Sequence, residues 1–75
     1  MFLYIGGDQY INTDAVKIVH IQLLSNKIAI TTMLNFSCEI NNYIVEFLNQ
    51  DLAKEQLSHI IRQLNSIARE KAERQ

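Results

Sequence analysis

The chain has 75 residues, 48% of them hydrophobic and 20% charged, and a formal net charge of −1. Two glycines and no proline in so apolar a sequence exclude a disordered chain, and no apolar run approaches the ~20 residues a membrane helix needs. The small net charge supplies no overall field to steer the chain toward nucleic acid or an anionic membrane.

Seventy-five residues predict a single small domain. Such a domain buries only about 60% of its unfolded surface and usually needs a disulfide, a metal or a second copy. Cys38 is the sole cysteine, so an internal disulfide is excluded. The opening Met1-Phe2-Leu3-Tyr4-Ile5 lacks the basic and long apolar regions of a secretory signal. With one unpaired thiol, that points to a reducing, cytoplasmic setting.

In chain order, Phe2 to Ile5 reads as a short strand, and Gly6-Gly7-Asp8 as a turn that uses the conformational freedom of glycine. Tyr10 and Ile11 begin a second strand. Asn12-Thr13-Asp14 interrupts it with side chains that bond their own backbone, predicting a kink or bulge before the strand resumes from Ala15 to Leu24. The apolar phase changes inside that strand: Val16 and Ile18 share one face, whereas Val19, Ile21 and Leu23 share the other. A period of two cannot accommodate the change without a bulge near Ile18-Val19 or cover on both faces. Ser25-Asn26-Lys27 is the next turn, and Ile28 to Leu34 the third strand.

Residues 35–48 admit two readings. A tight turn at Asn41-Asn42 would start a fourth strand through Ile44, Val45 and Phe47, or a helix would run through Ile40, Ile44, Phe47 and Leu48. The β-branched and aromatic residues favour the strand. From 49 to 74 the apolar residues recur at helical spacing, with Ala53, Leu57, Ile60, Leu64 and Ile67 on one stripe widened by Ile61 and Ala68. Asn49 or Asp51 caps the start, and Glu70 with Arg74 forms an (i, i+4) pair near the end. The predicted fold is α+β: an antiparallel meander of three to four strands, residues 1–48, followed by one long amphipathic helix.

That helix is long. About 24 residues span roughly 36 Å, whereas a six-residue strand covers only about 20 Å. The second half, with Leu64 and Ile67, is therefore expected to overhang the sheet and to need a partner, since burying each such side chain is worth roughly 1.5–3 kcal/mol. The expected interface is Leu57, Ile60, Ile61, Leu64, Ile67 and Ala68, and the expected partners are a second copy in a symmetric oligomer and another protein.

No chemistry-bearing motif stands out. Cys38 with His20 or His59 as base would make a thiol nucleophile, but nothing in the sequence brings them together, and a small hydrophobe is the ordinary reading of such a cysteine. Glu55 and His59, four apart on the helix, would supply two metal ligands, and no third lies at ligand spacing. Arg62 and Arg69 share a helix face near Lys54 and Arg74, and Tyr4 and Tyr10 flank the first turn. Together they offer phosphate contacts and a stacking platform for nucleic acid. Their ordinary readings are a mixed-charge solvated face, interleaved with Glu55, Glu70 and Glu73, and aromatic cover for a sheet. No phosphate-cradling, nucleophile-elbow or paired-cysteine motif occurs, and no cofactor is expected. The segment Tyr10-Ile11-Asn12-Thr13-Asp14 resembles many small bacterial and phage β-rich proteins, a generic likeness that identifies no family. The function expected is that of a non-enzymatic, homo-oligomeric interaction or regulatory module that binds another protein through its C-terminal helix, with a nucleic-acid-binding regulator using the sheet or the Arg62/Arg69 helix face as the alternative.

Overall fold

The computed structural model describes residues 1–73. The fold is α+β, with five strands and one C-terminal helix: β1 (Phe2–Gly6), β2 (Gln9–Asn12), β3 (Val16–Leu24), β4 (Lys27–Leu34), β5 (Ile40–Glu46) and α1 (Gln50–Glu73). The strands form two antiparallel sheets, a β1-β2 hairpin and a β3-β4-β5 meander.

Local chemistry explains each junction. Gly7 and Asp8 both have positive φ, the signature of a type I′ hairpin turn, whose twist matches the flanking strands. The expected kink at Asn12-Thr13-Asp14 is instead a complete turn, so β2 and β3 belong to different sheets. Asn12 causes it: its side chain accepts from Asp14 N–H at 3.0 Å and its C=O from Ala15 N–H at 3.2 Å. Asn35, at the far end of β4, then donates from its side chain to Asp14 O and from its N–H to Ala15 O. Ser25 takes a positive φ in the β3-β4 turn. Its neighbour Asn26 holds the end of β5 twice, accepting from Phe47 N–H and donating from its amide to Phe47 O.

The expected bulge lies where the register slips, between Ile18 and His20. It keeps Val16, Ile18, Ile21 and Leu23 on one face despite the change of sequence phase. Residues 40–46 are a strand, and Asn41 and Asn42 lie within it. The turn expected at that pair falls earlier, at Asn35-Phe36-Ser37.

Both the hairpin and α1 pack on one face of the meander. Leu3, Ile5 and Ile11 from the hairpin, Ile28, Ile30 and Val45 from the sheet, and Ala53 and Ile60 from the helix form a single buried cluster. Asn49 caps the helix, its side chain accepting from Leu52 N–H at 2.9 Å. The helix end predicted at 74, and the Glu70–Arg74 pair, fall outside the described residues.

Candidate interaction surfaces

The helix stripe is where the sequence places it, and the chain covers most of it. Ala53 and Ile60 are fully buried, Ile67 is only 8% exposed, and Leu57 and Leu64 pack half-buried against the core. The overhang was expected because a six-residue strand is short. In fact β3 has nine residues and β4 eight, about 30 Å and 27 Å of strand. The β2-β3 turn prolongs that cover, since Thr13, Val16 and Ile18 line a groove of about 340 Å³ with Leu64, Ile67, Ala68 and Lys71. Of the expected interface residues, Ile61 and Ala68 are exposed, and Leu57 and Leu64 are half-covered.

Gln63, which no sequence motif marks, fastens this arrangement. Its side-chain amide donates to Tyr4 O at 3.1 Å and accepts from Tyr4 N–H at 3.3 Å. The amide thus imitates one rung of a strand along the outer edge of β1. A lone glutamine in a helix gives no sign of this role, because only the fold brings position 63 beside position 4.

Uncovered apolar surface lies elsewhere. On the hairpin, Phe2, Tyr4 and Tyr10 face away from the core, and the two tyrosine rings stand 5.1 Å apart with a tilt of 50°. On the meander, the register aligns Lys17-Met33-Ile40, His20-Thr31-Asn42, Gln22-Ala29-Ile44 and Leu24-Lys27-Glu46 across the face opposite the core. Ile40, Ile44 and Leu24 are exposed there, and Thr31 donates to the Asn42 side chain at 2.9 Å in its middle. Phe36 and Leu48, in the segments flanking β5, are the most exposed large apolar residues described, at 97% and 89%.

The polar candidates are dispersed. His20 sits on the open face of the meander, whereas His59 rides on the helix that covers the opposite face, so the sheet separates them. Cys38 is exposed in the β4-β5 connection. Glu55 and His59 are both exposed on α1, and the described residues contain no group of three or more side chains able to hold a metal. Arg62 and Arg69 are exposed, and neither forms an ion pair within 4.0 Å among the described residues. No described helix is long and apolar enough to cross a membrane. No protein-family model, curated protein or solved structure matches the chain.

Proposed function

We propose that the chain is a small non-enzymatic interaction module that assembles with itself and, so assembled, binds another protein in a reducing, cytoplasmic compartment. One observation carries the reading: the meander packs one face against the hairpin and helix, burying Ile28, Ile30, Thr32 and Val45, while its other face and flanking turns keep Ile40, Ile44, Leu24, Phe36 and Leu48 in water. Large apolar side chains gathered on one open face and its flanking turns support an interaction site there. The binding surface therefore centres on the sheet, with Ile61 and Leu52 as the exposed apolar residues that α1 adds. Gel filtration with light scattering tests it. A symmetric oligomer at micromolar concentration is the expected result, and a strictly monomeric chain would overturn it.

A second reading draws on the exposed Tyr4–Tyr10 pair and on Arg62 and Arg69. Rings held open to solvent stack bases, and unpaired guanidinium groups meet phosphates. It predicts oligonucleotide binding that weakens steeply with added salt. Fluorescence anisotropy showing no binding at low salt would remove it.

A further inference from the structure

We infer that two copies of the chain join edge to edge through β5, antiparallel about a two-fold axis at Asn42, making one continuous six-stranded sheet. This rests on the self-assembly reading above and names its edge and register.

The backbone pattern comes first. Leu34 N–H donates to Glu39 O, and Phe47 N–H to Asn26 O. With the β4-β5 register, the odd-numbered residues of β5 therefore bond to β4. The N–H and C=O groups of Ile40, Asn42, Ile44 and Glu46 point outward, along an edge that no other strand covers. A two-fold at Asn42 sets Asn42 against its own copy and Ile40 against the second copy's Ile44. All are outward-facing positions, so each pair exchanges two backbone bonds.

Side chains select this register over its neighbours. The exposed apolar residues of this edge recur at Phe36, Ile40, Ile44 and Leu48, an array symmetric about position 42. The axis pairs Ile40 (58% exposed) with Ile44 (61% exposed) and brings Phe36 of one copy to the end where the second copy's Leu48 lies. A shift of the axis to Tyr43 would instead set Ile40 against the second copy's Glu46. Of the devices that ordinarily block such pairing, β5 carries no proline and a single charge, Glu46 at its last position, clear of the central Ile40, Asn42 and Ile44. Two of the other three edge strands differ: β3 has its bulge at Val19 with Lys17 and His20, and β1 has Tyr4 capped by Gln63.

Sedimentation velocity on the full chain, over a wide concentration range, tests this with variants on the exposed face. Wild type is expected to dimerise. Ile44→Asp is expected to raise the dissociation constant by roughly a hundredfold or more, because it sets a carboxylate against the partner's apolar side chain twice per dimer. Ile44→Thr, which keeps a β-branched side chain, should weaken the dimer less while leaving the monomer folded. For the register, Asn42→Cys and Tyr43→Cys are each made with Cys38→Ser and oxidised gently with diamide. The Cα separation of a bonded pair, about 5.5 Å, admits a disulfide, so Asn42→Cys should cross-link and Tyr43→Cys should not. A dimer that tolerates Ile44→Asp overturns strand pairing, and one that links through position 43 in preference to 42 overturns the register at Asn42, each while leaving self-assembly standing. A monomeric wild type overturns both.

Discussion

The two faces of the meander are made by the same strands and have opposite fates. On β4, Ile28, Ile30 and Thr32 are buried, whereas the intervening Ala29, Thr31 and Met33 are only half-covered. The inner face receives everything else the chain has: the hairpin, the helix and their apolar residues. The outer face receives nothing, yet keeps isoleucines at positions 40 and 44. In so short a chain one layer of cover is all that can be built, so apolar residues on the second face are surplus to folding. On the proposed reading, fold and function therefore separate by face.

That contrast can be broken first at the centre of the closed side. Ile30→Ala should cost about 2–5 kcal/mol, the usual range for emptying a fully buried aliphatic site, as measured by urea denaturation. Gly6→Ala should follow at about 1–3 kcal/mol. Gly6 has a φ of 110°, and a Cβ there would sit 3.1 Å from the Phe47 ring and 3.2 Å from Val45. A variant as stable as wild type would show that the hairpin is not pressed against β5. Asn49→Ala should remove about 1 kcal/mol with the helix cap, seen as a lower thermal midpoint. Gln63→Ala should cost about 1 kcal/mol or less, since Tyr4 N–H and C=O regain water. Hydrogen exchange should then show faster loss of Tyr4 amide protection while the meander is unchanged. On the open side, Ile44→Thr should move monomer stability by no more than about 0.5 kcal/mol. A larger loss would mean that the outer face contributes to folding and that the faces are not separate.

Much of the fold is legible in the sequence because it depends on local rules. The helix stripe from Ala53 to Ile67, the bulge at the phase change near Ile18, and the glycine turn all follow from periodicity and backbone sterics. Errors arose where local signals compete. Asn41-Asn42 has turn chemistry, but the β4 register draws both asparagines into the ladder and moves the turn to Asn35-Phe36-Ser37. Asn12-Thr13-Asp14 was strong enough to end a strand, and only tertiary packing decides whether a strand bends or stops. An average strand length predicts that half of the helix projects, and β3, at nine residues, is longer than average. The exposed array from Phe36 to Leu48 was hidden because its members span a turn, a strand and a bend. Their common exposure exists only once β5 is known to be an edge.

The Gln63–Tyr4 rung joins positions 59 residues apart. A ribosome delivers the hairpin well ahead of its clasp, so the β1-β2 unit waits through synthesis of the meander without the helix that closes it. An isolated two-stranded hairpin is marginal in water, and its Leu3, Ile5 and Ile11, buried in the folded chain, would be open to any passing chain. Closure of the hairpin therefore waits for the stretch of α1 that carries Gln63, and until that stretch has been made the hairpin's inner face has no helix to cover it.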